Sequence, residues 1–406
     1  MDFRFGPEDE AFRAEARAWL GEHLTEEYAE AAGSGGPGSE HENTHARRAW
    51  ERELGAAGWI GLGWDAEGYG NRRATLTQQV VWAEEYARAR APARYGHIGE
   101  NLLAPTLLAH GTEEQKQRFL PPIARGEELW CQGYSEPGAG SDLAGVRTTA
   151  VRDTGGAGPA TYRITGQKIW TSFAHEADWC FVLARTDPTA RRHHGLSFLL
   201  VPMDQPGRIE VRPIRQMTGT SEFNEVFFDG AVAEAGHVVE GEGNGWRVAM
   251  GLLGFERGVS TLAQQIGFAE ELGRVVRLAV ASGTAADPVL RDRLVRQWAE
   301  LRTMRWNALR TLGSPESGAG SDAGAPSVAK LLWGGWHQRL GELAMQVRGA
   351  AAAVGPADWS PDAPYELDAL QRLFLFSRAD TIYGGSDEIQ RNIIAERVLG
   401  LPREPW

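Results

Sequence analysis

The sequence predicts an α+β protein in which a helical first part, a strand-rich middle part and a helical last part follow one another. Apolar residues recur at helical spacing over the first part, short β-favouring runs dominate the middle, and long helical patterns then return. At 406 residues the chain is long enough for two or three packed cores. We therefore predict an α-helical domain over 1–127, a β-barrel or sandwich over 128–238 and a four-helix bundle over 239–406.

The first predicted domain contains one interruption, the glycine-rich segment AAGSGGPGSEHENTH. Before it, Phe12, Ala16 and Leu20 recur at helical spacing, and after it GTEEQKQRFLPPIARGEE predicts a capped helix ended by a proline pair. The interruption contains a formal GxGxxG motif that starts at Gly33. A dinucleotide-binding motif of this kind follows a strand, whereas this one follows a helix, so we predict a flexible loop instead.

Turn-rich pieces separate five β-favouring runs in the middle domain. The runs are TYRIT, DWCFVLART, LSFLLVPM, IEVRPI and EVFFDG. The last domain begins with a helical pattern over 246–281, in which Val248 and Leu252 start an apolar stripe. Its further helices are predicted at 289–312, 327–353 and 365–380, and the loop SPESGAGSDAGAPS between two of them is expected to be mobile.

Composition and charge exclude several classes of protein. Hydrophobic residues make up 42% and charged residues 24%, which is typical of a globular protein. The formal net charge of -12 argues against a nucleic acid or an anionic membrane as the main partner. No apolar stretch is long enough to span a bilayer, and the acidic start MDFRFGPEDEAFRAEARAWLGEHL predicts an amphipathic helix rather than a secretion signal.

Cysteine and histidine usage gives no sign of a metal site. The chain has two cysteines, Cys131 and Cys180, so we expect neither a disulfide framework nor a cysteine metal cluster. Such usage fits a reducing, cytoplasmic location. His193 and His194 are adjacent without another ligand at useful spacing, and we therefore predict that no metal is bound.

The five letters GAGSD occur twice, at 138–142 and 318–322, in different surroundings. The second copy lies in the Ser/Gly/Ala loop of the last domain. The first lies in LWCQGYSEPGAGSDLAGVRTT, where Gln132, Tyr134 and Ser135 supply hydrogen-bonding groups beside a Pro-Gly turn. The first copy is therefore the candidate site.

A tryptophan followed by two hydroxyl residues marks the next motif, GQKIWTSFAHEADW. Trp170 precedes Thr171 and Ser172 on a predicted strand end, where a flat aromatic ligand could stack. The alternative is that Trp170, one of 15 tryptophans, fills an interface between domains. The residues alone leave both interpretations open.

Glu256 is a candidate base on the first long helix of the last domain. It lies four residues after Leu252 in LLGFERGVSTL, so its carboxylate would project from a mainly apolar face. Burial there would raise its pKa and make it a better base near neutral pH. The alternative is a solvated glutamate beside Arg257 on the helix surface.

Paired glycines precede a predicted helix start in TIYGGSDEIQRN. Gly384 and Gly385 permit close approach of another group, and Ser386 is a good N-cap for a helix whose first turn carries Asp387 and Glu388. The exposed N–H groups of such a start suit an anionic ligand. A helix–turn–helix corner without a ligand is the alternative.

Four spaced motifs closely resemble those of the acyl-CoA dehydrogenase family, and the similarity covers essentially the whole chain. They are YSEPGAGSD, GQKIWTS, FNEVFFDG and IYGGSDEIQRNIIAERVLGLP. The resemblance implies an FAD enzyme of lipid metabolism, as in fatty acid β-oxidation, that oxidises an acyl-CoA thioester to its trans-2-enoyl product. It also implies that electron-transferring flavoprotein reoxidises the reduced flavin.

The resemblance further implies roles for individual residues. Gln132, Tyr134 and Ser135 would lie along the flavin edge, with Ser135 bonding the pyrimidine end. The residues implied next to the flavin ring are Trp170, which would cover one face, its neighbour Thr171, and Ser172, which would hydrogen-bond N5, the atom that receives hydride. The residues implied elsewhere are Ser141 at pyrophosphate or substrate, Arg257 at substrate, Gln346 at the adenine end, and Ser386 and Glu388 at the dinucleotide arm.

The resemblance also implies where the base lies. Many family members carry a catalytic glutamate at the place that Gly384 occupies here. In the isovaleryl-type and long-chain-type enzymes the glutamate lies on the first long helix of the bundle, and Glu256 matches that place. Gly384 would still present its N–H to the thioester carbonyl.

Three questions stay open at this stage. A flavin oxidase or monooxygenase on the same scaffold, or a catalytically inactive partner subunit, are alternatives to a dehydrogenase. The segments HIGENLL and WCQGYSEPGAGSDLA resemble actinobacterial members that include subunits acting on steroid side chains, so a bulky or branched acyl group is one hypothesis. Ala279 and Ser282 replace an arginine and a phenylalanine with which homotetrameric relatives bind flavin across subunits, which favours a heterotetramer with a homologous subunit over a homo-oligomer.

Overall fold

A computed structural model of the chain describes residues 5–36, 38–155, 159–255, 260–312, 324–355 and 367–403. The first part is helical, as predicted. Its helices are α1 Pro7–His23, α2 Thr44–Ala56, α3 Leu76–Arg88, α4 Ala104–His110 and α5 Glu113–Ala124, and a π-helical turn, Gly99–Leu103, leads into α4.

Helix α5 begins at the predicted cap and ends later than predicted. Thr112 Oγ1 accepts a hydrogen bond from the Gln115 backbone N–H at 3.3 Å, and the Thr112 backbone N–H donates to Gln115 Oε1 at 3.1 Å. The helix continues through Pro121 and Pro122, because proline has a helical φ and loses only its own N–H bond. Gln115 Nε2 also donates to the carbonyls of Gly236 and Val238, which joins α5 to the middle part.

The glycine-rich interruption is a loop, as predicted, but specific bonds hold it in place. Arg47 is fully buried and donates to the Glu40 backbone carbonyl at 2.6 Å and to the Glu40 carboxylate at 2.9 Å. Its Nε donates to the Ala93 carbonyl at 3.0 Å. The prediction of a flexible loop missed this arginine, which joins the loop to α2 and to the segment after α3.

The eight strands of the described ranges form one mixed sheet with the order β6-β7-β3-β2-β4-β5-β8, and β1 pairs with β4 outside this path. Their bounds are β1 Trp130–Gly133, β2 Thr149–Asp153, β3 Thr161–Ser172, β4 Trp179–Arg185, β5 Leu196–Pro202, β6 Ile209–Pro213, β7 Phe223–Glu234 and β8 Val238–Val239. The runs TYRIT and GQKIWTS, treated separately in the sequence, are one strand. The short strands β1, β2 and β8 were not predicted.

The sheet encloses a core of its own and covers a second core with its other face. Val182 of β4 and Leu199 of β5 share one hydrophobic cluster with Val226 of β7, so the two halves of the sheet face each other as in a sandwich. Neighbouring residues Phe181 and Phe198 point the opposite way, into a cluster formed mainly with the first part.

The last part is helical, but its first helix packs elsewhere than predicted. The predicted helix over 246–281 corresponds to α6 Gly245–Phe255 and α7 Ser260–Ala281, and residues 256–259 between them are outside the described ranges. Val248 and Leu252 of α6 are fully buried in the cluster shared by the first and middle parts. The domain boundary at 238/239 therefore remains a proposal.

A bundle of long helices completes the chain. Its remaining helices are α8 Pro288–Leu312, α9 Ala325–Arg348, α10 Ala369–Phe376 and the short α11 Asp387–Ile393, and α7, α8, α9 and α10 share one hydrophobic core. The second GAGSD copy lies outside the described residues. Among the described residues, none of the helices combines the length and apolar character needed to cross a bilayer. In the same ranges, no three His, Cys, Asp or Glu side chains are grouped to hold a metal ion.

Candidate active site

Trp170 lies in a β-bulge of β3. Lys168 pairs with Val226 and Thr171 with Asn224, so two residues of β3 stand opposite one residue of β7. The bulge gives Trp170 a φ of 61°, a left-handed conformation that is unfavourable for a large side chain. Its indole is 56% exposed. In this chain Trp170 therefore presents its ring at a surface and does not fill an interface between domains.

The two hydroxyl residues after Trp170 differ in their surroundings. Thr171 is fully buried, and among the described residues its Oγ1 has no hydrogen-bond partner. Ser172, the last residue of β3, is half-buried. Because buried hydroxyls almost always have a partner, Thr171 Oγ1 fits a polar ligand or an ordered water beside the exposed indole. The residues at this strand end thus fit a flat group with polar edges, such as a flavin.

Asn224, opposite Thr171 on β7, holds the bulge. It is fully buried, and its Nδ2 donates to the Thr171 carbonyl at 3.0 Å and lies 3.1 Å from His175 Nδ1. The position of Asn224 in the FNEVFFDG motif is the one local signal that could have indicated this role.

The segment with Gln132, Tyr134 and Ser135 is attached to β3 beside the bulge. The Ser135 carbonyl accepts a hydrogen bond of 2.9 Å from the Ile169 N–H. Gln132 and Ser135 are half-buried, whereas Tyr134 is buried. Ser141 is exposed, next to an ion pair between Asp142 and Arg192 with an O–N distance of 2.5 Å. The Ser135 backbone is therefore bonded to Ile169, the residue before Trp170, whereas Ser141 lies at the surface.

A buried ion pair joins these two motifs, and sequence reasoning missed it. Lys168 is fully buried, and its Nζ lies 2.8 Å from Glu136 Oε1 and 3.0 Å from the Tyr134 carbonyl oxygen. The Glu136 carboxylate also accepts the backbone N–H groups of Arg147 and Thr148. Burial opposes ionisation of Glu136, but Lys168 and these hydrogen bonds outweigh it and lower the pKa of Glu136. Glu136 lies in the motif YSEPGAGSD and Lys168 in GQKIWTS. Membership of these motifs is the only sequence feature that could have indicated the pair.

The paired glycines form the predicted turn before a capped helix. Gly384 and Gly385 have φ values of 63° and 82°, which glycine adopts without strain. Ser386 Oγ accepts a hydrogen bond from the Ile389 N–H at 3.4 Å, which confirms the predicted N-cap of α11. The buried Gln390 donates to the carbonyls of Gly384 and Gly385 and fixes the turn. Glu388 is exposed, and hydrogen bonds from its own backbone and from Ser386 lower its pKa.

One loop of the first part contacts residues next to both groups of site residues. At the middle part, His41 Nδ1 lies 3.6 Å from the Glu222 carboxylate, just before Phe223, whose ring contacts Trp170 edge-on. At the bundle, a Cβ on Gly38 would lie 3.1 Å from Phe376, and the Phe376 ring packs near Tyr383, which precedes Gly384. The loop therefore links the strand-end group with the glycine turn.

The remaining predicted residues fall into two classes, those outside the described residues and those on the bundle helices α7 and α9. Glu256 and Arg257 lie outside the described residues, so their placement stays a prediction. Gln346 is exposed on α9 and accepts a hydrogen bond from Arg293 at 2.5 Å. Ala279 is fully buried in the bundle core, so this position does not present its side chain at the surface of the chain. Ser282, the other replaced position, is exposed, so the prediction of a shared flavin site with a partner chain stays a prediction.

Three family models match successive parts of the chain. The acyl-CoA dehydrogenase N-terminal domain matches residues 6–127, the middle domain residues 131–231 and the C-terminal domain residues 243–399. The chain is 55% identical over 402 residues to the acyl-CoA dehydrogenase IpdE1 of Mycolicibacterium smegmatis, with 98% of this chain and 99% of the relative covered. It is 56% identical over 395 residues to the protein of the same name from Mycobacterium tuberculosis, with 97% and 98% covered.

Two solved structures support the same assignment. One is a steroid ACAD named Tcur3481-Tcur3483, with a TM-score of 0.83, 30% identity and 100% of both chains covered. The other is the ChsE4-ChsE5 complex from Mycobacterium tuberculosis, with a TM-score of 0.77, 30% identity and 100% of both chains covered. The chain belongs to the acyl-CoA dehydrogenase family, whose members are in general FAD-dependent oxidoreductases.

Proposed function

We propose that the chain binds FAD and desaturates an acyl-CoA thioester between its α and β carbons. The observation that carries the proposal is the exposed Trp170 ring in a strained bulge, next to the buried Thr171 hydroxyl that lacks a partner among the described residues. Backbone strain of this kind persists where the surrounding structure over-determines it, and it concentrates at functional sites. A stacked ring with polar edges would use both features.

The strand-end residues would hold the cofactor. Trp170 would cover one face, Ser172 and Thr171 would offer hydroxyls, and Gln132 and Ser135 would lie along the opposite edge with buried Tyr134 behind them. Ser386 and Glu388 would approach the dinucleotide arm, and Ser141 the pyrophosphate or the substrate. When bound, the flavin would accept the hydride that leaves the β-carbon, which is chemistry that side chains do not supply.

Glu256 is the proposed base for the α-proton. In the sequence it directly follows Phe255, the last residue of the apolar helix α6, which packs between the first and middle parts. Burial of a carboxylate at that place would make it a better base near neutral pH. Gly384 occupies the place where many relatives carry their glutamate, so it cannot remove a proton itself. Its N–H would stabilise negative charge on the thioester carbonyl, because Gln390 holds the turn in one orientation.

The acyl group is proposed to be bulky and steroid-derived, since a solved relative that matches the whole chain is named a steroid ACAD. The test is a panel of straight, branched and ring-bearing acyl-CoAs, mixed with the yellow protein without air. Flavin bleaching and enoyl-CoA formation with ring-bearing substrates are expected. Rapid reaction of the reduced protein with air would favour the oxidase alternative, and the absence of bleaching with every acyl-CoA of the panel would contradict the proposal.

A second, homologous chain is the proposed partner, and electron-transferring flavoprotein the proposed acceptor. Two relatives in solved structures carry pairs of names, Tcur3481-Tcur3483 and ChsE4-ChsE5. On α8 of this chain, Trp298 and Trp306 are 54% and 53% exposed. Val295, which is also exposed, lies about one helical turn before Trp298 on the same face. Large exposed aromatic side chains on one helix face are typical of a surface that another subunit covers. A homo-oligomer would use the same face.

A further inference from the structure

His337 lies inside the bundle between two carboxylates. Its Nδ1 is 2.6 Å from Asp380 Oδ2, and its Nε2 is 2.8 Å from Glu271 Oε2. His337 and Asp380 are 4% and 1% exposed. The surrounding side chains are largely aromatic, with the Phe268 ring centroid 4.5 Å from that of His337. His337 and Asp380 are thus enclosed in an otherwise apolar core, whereas Glu271 is half-buried at its edge.

Asp380 connects this chain to the glycine turn. Its Oδ1 accepts a hydrogen bond of 2.6 Å from the Tyr383 hydroxyl, and Tyr383 directly precedes Gly384. Lys330 of α9 donates to the Asp380 backbone carbonyl. Gly334 permits this approach, because a Cβ there would lie 3.1 Å from the same carbonyl oxygen. The backbone carbonyl oxygen and both carboxylate oxygens of Asp380 therefore each take part in a hydrogen bond.

A need for stability of the folded protein does not by itself explain such a cluster. Burying ionised groups costs desolvation energy, and well-packed apolar side chains often stabilise a core as much or more. A fully hydrogen-bonded buried network does fix one geometry, because each displaced partner leaves a costly unpaired charge. The cluster ends at Tyr383, so the geometry it fixes is that of the turn.

We propose that His337 and Asp380 are positioning residues that hold Tyr383 and, through it, the Gly384 turn in the conformation that receives the thioester carbonyl. The inference rests on the proposed function for the role of the Gly384 N–H. The brace itself, from Glu271 through His337 and Asp380 to Tyr383, consists only of contacts within the chain.

The charge on His337 makes the stability of the brace depend on pH. Burial by itself lowers the pKa of His337, but hydrogen bonds and attraction from Asp380 and Glu271 outweigh it and raise this pKa to about 9. The titratable and charged groups around the pair are Glu271 from α7, Lys330 from α9 and Tyr383 beyond the 3₁₀ turn Ser377–Thr381. A raised folded pKa means that the stability from charged His337 is complete below its unfolded pKa and is lost as the pH rises through about 9.

The test compares Asp380→Asn, His337→Gln and Tyr383→Phe with a control variant, Arg339→Gln. Arg339 lies on α9, as His337 does, and forms an exposed ion pair with Glu300 of α8. Hydrogen exchange of the Ile382 and Tyr383 amides, which both donate to the Ala379 carbonyl, is measured at neutral pH. Loss of one buried hydrogen bond should speed exchange there by about tenfold in the three variants and not in the control. The wild-type melting temperature should fall as the pH rises through about 9, and that fall should be absent in His337→Gln.

Activity supplies a separate arm. In folded, flavin-loaded variants kcat should fall by about tenfold with little change in KM, because the turn acts on developing charge rather than on binding. Unchanged exchange of the Ile382 and Tyr383 amides in folded variants would overturn the brace. If Asp380→Asn and His337→Gln do not fold, Tyr383→Phe, which removes only a hydroxyl, decides the question by the same exchange measurement. If none of the acyl-CoAs bleaches the flavin of the wild-type protein, the proposed function is refuted. The exchange result would still decide whether the brace exists.

Discussion

The ammonium group of Lys168 lies 2.8 Å from the Glu136 carboxylate, and this contact joins two motifs that are 32 residues apart in the sequence. One motif carries Ser135 and the other carries Trp170 and Ser172. The pair therefore sets the distance between the two sides of the proposed flavin edge. Both groups are buried, so neither can be removed without leaving the other uncompensated.

The first prediction concerns this pair. Lys168→Met should destabilise the protein by about 3–5 kcal/mol, because it leaves a buried carboxylate without its countercharge. The matched control is Lys116→Met, which removes a lysine that also lies 2.8 Å from a carboxylate, that of Glu113, but on the surface. The control should cost less than about 1 kcal/mol. Urea unfolding of both variants measures the difference, and equal losses would show that the buried pair has no special role.

The second prediction uses the strain at Trp170. Trp170→Gly and Trp170→Ala both remove the indole, but only glycine relieves the left-handed φ of 61°. Flavin affinity should fall in both variants, whereas the free energy of unfolding should be about 1 kcal/mol higher for Trp170→Gly than for Trp170→Ala. Flavin titration and urea unfolding of the flavin-free proteins measure the two quantities. Unchanged flavin affinity in both variants would contradict a stacking role for this ring.

The third prediction concerns the partner. Expressed alone and purified without added cofactor, the protein should contain clearly less than one flavin per chain, and co-expression with a homologous partner should raise the occupancy. The double variant Trp298→Ser/Trp306→Ser should lose the partner, because it removes the exposed apolar face of α8. Val151→Ser, which alters an exposed apolar residue on β2, is the control. A homo-oligomer with full flavin occupancy and normal turnover would rule out the partner requirement.

Local signals in the sequence located much of the fold. The caps at Thr112 and Ser386, the helix periods and the β-favouring runs depend on neighbouring residues, and the structure confirms the helices and strands that they predicted. The glycine turn before α11 is local in the same sense. Its neighbours in sequence are enough to specify it.

The features that sequence reasoning missed all depend on distant contacts. The Trp170 bulge requires the register between β3 and β7, and Lys168 meets Glu136 only when β3 passes the segment after β1. His337 lies on a helix face that would otherwise be classed as core, and only the approach of Asp380 and Glu271 explains why its pKa is raised. The packing of α6 against the first and middle parts could likewise not be predicted from the sequence. The helical spacing of its apolar residues predicts an apolar face but does not indicate which part of the chain covers that face.

The most direct test of the account is the single-turnover reduction of the flavin in Glu256→Gln. The variant should fold, bind FAD and bind the acyl-CoA that bleaches the wild type, because glutamine keeps the size of the side chain. Removal of a general base costs about two to four orders of magnitude in rate, so its bleaching should be slower by that factor. Bleaching at a rate near that of the wild type would contradict Glu256 as the base and with it the proposed mechanism.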